Sequence, residues 1–246
     1  VDQNANITST SGVITVDATT ADITMLTGTT TSTTGAGTIA YTAGTDVALS
    51  ILSGASTVNV TAGTVGVTGA ITDILATEAA NIIATTATLN AITGIGSADD
   101  IETNITTLDA TNTGATGNIQ INEIAAGGNI DVMDISQTNA GGNGTILLTT
   151  EDGYIDVLAL GTGVTTAGSG TVTLTAADAT AGVNDDVFVN DVVTSTSGQI
   201  TINAANEIET NALISSTSGA IDLNAATNVD QNANITSTSG VITVDA

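Results

Sequence analysis

The chain has no lysine, arginine or histidine among its 246 residues, against 25 aspartates and glutamates. That absence excludes ordinary electrostatic binding of nucleic acid or of an anionic membrane, because no side chain can neutralise a phosphate. It also removes every side-chain salt bridge, and every imidazole or amine that could act as a tuned base or a nucleophile's partner. Cysteine is missing too, so neither disulfides nor thiolate metal sites contribute. There is no proline, and aromatic residues make up 1% of the chain; the core must come from aliphatic side chains. No apolar run reaches the length of a membrane helix, and no basic leader precedes a hydrophobic stretch.

What the sequence does hold is strand chemistry and repetition. Hydrophobic residues make up 41% of it, with 27 glycines, too apolar for a disordered chain. Thr, Val and Ile favour strands, while Gly, Asn, Asp and Ser supply turns. From Gly198 to Ala246 a 21-residue pattern is written twice in full and begins a third time. Gly198, Gly219 and Gly240 each open a run with large apolar residues at its third and fifth positions: Ile200 and Ile202, Ile221 and Leu223, Ile242 and Val244. Ala204, Ala225 and Ala246 close the runs; Ile208 with Val229 and Ile214 with Ile235 keep the same step. Alternation over five positions is the strand period, and a fixed return distance lets each copy stack on the last. The pattern predicts one coil of a β-solenoid per copy.

A larger repeat overlies the first. Residues 229–246, VDQNANITSTSGVITVDA, are identical to residues 1–18, so the chain re-enters its own beginning after 228 residues. The expected organisation is one solenoid segment, a 228-residue period (1–228) and an 18-residue overlap (229–246), cut from a continuous tandem array. Two of the 25 acids, Asp230 and Asp245, fall in the overlap, which leaves 23 per period. Coils of about 21–28 residues rising by ~4.8 Å make a period on the order of 45 Å long. That is about one charge per 2 Å of axis, near the ~1.7 Å of duplex DNA. Cations must gather around such a rod, with Ca²⁺ expected as a surface counterion rather than a required cofactor.

Residues 12–54 continue the ladder with longer returns, including a turn-rich Thr29–Gly37. Over 69–91, Ile71, Ile74, Leu75, Ala79, Ile82 and Ile83 have nearly helical spacing, so a short helix on the solenoid competes with strands; the Thr-rich Ala84–Thr88 favours strands. From Gly117 the glycine-led strands return. The corners between them carry Gly141-Gly-Asn-Gly and Gly161-Thr-Gly, read as glycines at positive φ.

The recurrent Gly-x-Ile-x-Ile/Leu/Val-x-Ala units, such as Gly198–Ala204 and Gly219–Ala225, resemble those of filamentous-haemagglutinin-type exoproteins and large autotransporter adhesins. So does the passage from Ile92 to Ala110 followed by Gly117-Asn-Ile-Gln-Ile. The resemblance implies a right-handed parallel β-helix, in keeping with the usual hand of parallel crossovers. It also implies export and work as an extracellular fibre or adhesin stalk at the cell surface. The chain departs from that family in having no basic residue with which to bind heparin or another anionic glycan.

Few residues suggest chemistry. Asn203, Asn224 and Asp245 stand in register and predict a stack of side chains bonded along the axis. The acidic pairs Asp99-Asp100, Glu151-Asp152 and Asp185-Asp186 are candidate Ca²⁺ ligands if neighbouring coils add carbonyl oxygens; otherwise they are solvated corners. Thr29–Thr34 reads as a corner loop rather than a flat ice-binding face. Paired carboxylates can hydrolyse glycosides, but without a tuning base no enzyme is expected. The expected work is mechanical: attachment, or fibre and bundle formation, with further copies of the repeat in cis, lateral fibre contacts and divalent cations as partners. A passive sheath or surface-layer filament is the alternative.

Overall fold

The computed structural model describes residues 1–54, 56–180 and 184–246. Among them lie twenty-nine short strands and no helix. Every strand-to-strand pairing is parallel; the one antiparallel contact is an isolated bridge between Asp152 and Asp178. The chain is a β-solenoid of about ten coils. Strands alternate inward and outward residues, as in Thr57–Ala62, where Val58, Val60 and Ala62 are buried between half-exposed Thr57, Asn59 and Thr61. The inward residues form one continuous core along the axis, with Ile39, Val58, Leu89, Leu108, Val132, Leu174, Ile202 and Leu223 among its members.

The two sides of the solenoid differ, and they exchange roles halfway along. The front begins with two narrow strands per coil: Asp2–Gln3 with Ile7–Ser9, Ile23–Met25 with Thr30–Thr33, Val47–Leu49 with Ile51–Gly54, and Ile71–Asp73 with Ile82–Ile83. In the fifth coil the first narrow ladder is a single bridge at Ile95 and the second is Ile101–Asn104. Both then meet one strand, Ile119–Glu123, through Ile95 to Ile119 and Ile101 to Ile121. From there the front is one broad strand per coil, through Ile146–Thr150, Val172–Ala176, Ile200–Ala204, Ile221–Ala225 and Ile242–Asp245.

The back does the reverse. It starts broad, with Ile14–Ala18, Thr38–Ala43, Thr57–Ala62, Thr86–Ala91 and Thr107–Asn112. The eight-residue strand Ile130–Gln137 then splits it. Val132 pairs with Leu108 and Asp134 with Asp109, so Met133 is an extra residue with no partner, a bulge that bends the strand. Ile155–Val157 stacks on its first part and Gly163–Thr166 on its second. The corner above the bulge must be glycine: a Cβ at Gly161 would lie 1.5 Å from the Met133 carbonyl oxygen. Two narrow ladders follow to the end, closing with Asn228–Gln231 and Ile235–Ser237.

The identical end segments therefore form the same strands on opposite sides. Residues 2–3 and 7–9 are narrow strands of the front, and residues 228–231 and 235–237 are narrow strands of the back. Counted along the ladders, the chain makes nine and a half coils between one copy and the next.

The preference for strands over 69–91 holds, and two expectations change. The nearly helical spacing of residues 71–83 belongs to two narrow strands and the turn between them. Thr30–Thr33 is a strand, not a corner loop: Thr31 and Thr33 face the lumen, where the Thr31 hydroxyl lies 2.7 Å from that of Tyr41 and accepts from Gln3 Nε2 at 2.9 Å. Of the corner glycines in 141–144 and 161–163, Gly163 alone has positive φ, at 76°. The leading glycines of the 21-residue repeat serve close approach instead. A Cβ at Gly219 would lie 1.9 Å from the Gly198 carbonyl oxygen, and one at Gly240 2.0 Å from that of Gly219.

Candidate cation site

The loop from Ile74 to Asn81 lies on the front, between two narrow strands of the fourth coil, and leans over the strand Ile101–Asn104 of the next. Asn81 ties it down. Its backbone N–H donates to the Glu102 carbonyl at 2.9 Å, its Oδ1 accepts from the Glu102 N–H at 3.0 Å, and its Nδ2 donates to Ser50 O at 3.2 Å. The same Nδ2 donates to Asp73 Oδ1, which also accepts from Leu75 N–H at 2.7 Å. Under this cover the Glu102 side chain, on the outward side of its strand, is only 1% exposed.

Here three carboxylates converge. One oxygen each from Glu78, Asp100 and Glu102 lie within 4.8 Å of one another, the one such group among the described residues. Glu102 Oε2 is buried and has no hydrogen-bond partner. Burial, and then the charges of Asp73, Asp100 and Glu78, push the Glu102 carboxyl up to about 8. Asp73 is shifted upward as well, by burial and by Asp99. Asn122, paired with Glu102 in strand register one coil on, adds a second buried oxygen without a partner, Oδ1; its Nδ2 donates to Glu151 Oε1 at 3.1 Å.

Of the acids singled out in the sequence, Asp100 stands in this cluster and Asp99 beside it. The other four lie elsewhere. Glu151 is exposed and holds Asn122. Asp152 and Asp185 are buried at the bridge to Asp178: Asp152 Oδ2 accepts from Gly127 N–H and Asp185 Oδ1 from Gly153 N–H, each at 2.8 Å. Burial, then Asp178, Asp152 and Asp186, raise Asp185. Asp186 Oδ1 accepts from Asn206 Nδ2 at 2.6 Å and Glu207 N–H at 3.0 Å. Asp152, Asp185 and Asp186 each answer a backbone N–H, while Asp152 Oδ1 is buried without a partner.

Sequence reasoning missed Glu78 and Glu102. Glu78 sat inside the run that looked helical. A signal for Glu102 was present, since Asp100 and Glu102 are two residues apart and so share one side of an extended segment.

Elsewhere polar side chains repeat along the axis. Asn224 Nδ2 donates to Asn203 Oδ1 at 3.0 Å and Asn203 Nδ2 to Thr175 Oγ1 at 3.2 Å, with Asp245 next in register. A second ladder runs on the back: Asn232 donates to Asn211 at 3.1 Å, Asn211 to Asn190 at 2.8 Å, and Asn190 to Asp156 Oδ1 at 2.8 Å. A shallow cleft beside Tyr154, lined by Asn104–Thr106 and Ala125–Asn129, contains no carboxylate. No protein-family model, curated protein or solved structure matches this chain.

Proposed function

We propose that the chain is a repeat segment of a continuous extracellular fibre or adhesin stalk, whose work is mechanical: it holds length and stiffness by hydrogen bonds running along the axis. The observation that carries this reading is the reuse of the 18-residue end segment. Residues 1–18 are covered by the coil that follows them, with Ile14 on Ile39 and Val16 on Tyr41. Residues 229–246 lie on the coil before them, with Ile242 on Ile221 and Val244 on Leu223. One sequence therefore fits both neighbours that a junction between periods requires. Ile242 and Val244 are 41% and 45% exposed where Ile221 and Leu223 are fully buried; a further coil would cover them, as nearest-neighbour stacking in a solenoid demands.

Nine and a half coils at ~4.8 Å each put successive periods about 45 Å apart along the fibre. The half coil turns each period about half a turn relative to the last, plus whatever twist the coils accumulate. Negative charge all along the rod keeps fibres apart and soluble, and divalent ions screening it would let them bundle.

Helical reconstruction of native filaments by electron cryomicroscopy tests both statements. A ~4.8 Å layer line with a rise near 45 Å supports the fibre, and a rotation near half a turn supports the alternation of sides. A rise near 45 Å without that rotation keeps the fibre and overturns the alternation. Discrete particles with no axial repeat overturn the fibre itself.

A further inference from the structure

We propose that Glu78, Asp100 and Glu102 form a specific site for one divalent cation of the hard, oxygen-seeking class, calcium in preference to magnesium. The proposal concerns a single corner of the fourth and fifth coils and does not depend on fibre formation.

Geometry carries it first. The three carboxylate oxygens lie within 4.8 Å of one another. Calcium takes six to eight oxygen ligands in flexible geometry at about 2.3–2.6 Å, so one ion can draw on three carboxylates gathered this closely. Magnesium demands near-ideal octahedral geometry, keeps several of its waters and is usually held by one or two carboxylates, so three protein carboxylates favour calcium. The loop that carries Glu78 is held in place by Asn81 and Asp73.

The second observation is independent of the clustering. Glu102 is 1% exposed, and its Oε2 has no donor. A buried carboxylate oxygen left bare is costly, and this chain has no lysine, arginine or histidine to answer it. Asn122, in register with Glu102, carries the other bare buried oxygen on this strip. Acceptors without donors mark a place for a positive charge, which must come from solvent. The remaining acids of the corner, Asp73 and Asp99, add negative charge without joining the ligand set.

Titration calorimetry with calcium chloride in 0.15 M sodium chloride at pH 7 tests the proposal. Diffuse binding to the other carboxylates is the background, so the reading is the saturable site. The expected result is one saturable site per chain, at least tenfold weaker for magnesium. Glu102→Gln, a close copy of the protonated side chain, should weaken it at least tenfold, as should Asp100→Asn at the half-exposed edge. Asp17→Asn, on an exposed part of the back, should leave it unchanged. The circular-dichroism strand signal confirms that each variant folds, and Asp100→Asn decides the matter if Glu102→Gln does not. Uptake that never saturates, or saturable binding that Asp100→Asn and a folded Glu102→Gln leave intact, overturns the proposal.

Discussion

The coils from Gly198 onward and those from Gly69 to Gln137 use the same chemistry and end in different states. In the former, the same hydrogen bonds recur from one coil to the next. Gly219 N–H donates to Ser216 Oγ at 2.9 Å while that hydroxyl donates to Gly198 O at 3.0 Å; one coil on, Gly240, Ser237 and Gly219 repeat the arrangement at 2.8 and 3.0 Å. In the latter, coil length changes from 29 residues between Thr57 and Thr86 to 21 between Thr86 and Thr107. Different residues then face each other: Thr103, Asn112 and Glu123 go inward to fill the gap, and Glu102 is buried under the loop from Ile74 to Asn81. Bare buried oxygens follow, on Glu102 and Asn122, although Thr210 shows that a regular coil can leave one too. Exact repetition gives a polar group the same partner on every coil; irregular coils must find partners one at a time.

The strongest way to break the regular coils is at their glycines. Gly219→Val sets a branched side chain where even a Cβ would lie 1.9 Å from a backbone oxygen, and both coils must part. The expected loss is about 3 kcal/mol. Gly141→Ala, whose Cβ would meet nothing closer than 3.6 Å, should change stability by less than about 0.5 kcal/mol. Urea unfolding of the two variants measures both; similar losses would mean that close approach is not why the repeat keeps glycine.

The irregular coils should respond to pH instead. Burial pushes Glu102 up to about 8 and Glu123 up to about 7, the latter despite donors from Thr103 Oγ1, Ile105 N–H and Ala125 N–H. Both carboxyls hold a proton in the fold at pH values where the unfolded chain, titrating near 4.5, has lost it. The folded state thus binds more protons, and stability falls as pH rises. The contribution is complete below about pH 4.5 and gone above about pH 8, at about 1.4 kcal/mol per pH unit for each group within its window. Asp73, Asp109, Asp131, Asp156 and Asp185 shift the same way. Unfolding midpoints at pH 5, 6, 7 and 8 should decline steadily, with a shallower slope in Glu102→Gln. A midpoint that climbs over this range would contradict the buried acids.

The regular part was legible in the sequence because its information is local: Ile200, Ile221 and Ile242 announce their register by spacing alone, and so do Asn203 and Asn224. The Asn190, Asn211 and Asn232 ladder has the same 21-residue step and was open to the same reasoning. The exchange of sides was not. It depends on one unpaired residue, Met133, and on Gly161 above it, and neither differs in type from residues at ordinary corners. Thr30–Thr33 misled for a related reason: threonine serves a loop and a lumen equally, and only Gln3 and Tyr41, distant in sequence, decide between them. Glu102 was hidden by the loop that covers it, since an outward residue of a strand ordinarily meets solvent.

The smallest effect expected is in the asparagine ladders, and it bears on why the repeat is kept. Asn203→Ala removes a bond to Thr175 and one from Asn224, at a cost near 1 kcal/mol. A double-mutant cycle between Asn203 and Asn224 isolates their 3.0 Å bond and should give a coupling of about 0.5–1 kcal/mol. Each side chain is half exposed, so water competes and a larger value would be surprising. A coupling of zero would separate two roles that the geometry joins: the stack would then fix which coil sits on which, through the misfit of any other residue at that height, and stability would rest on the aliphatic lumen alone.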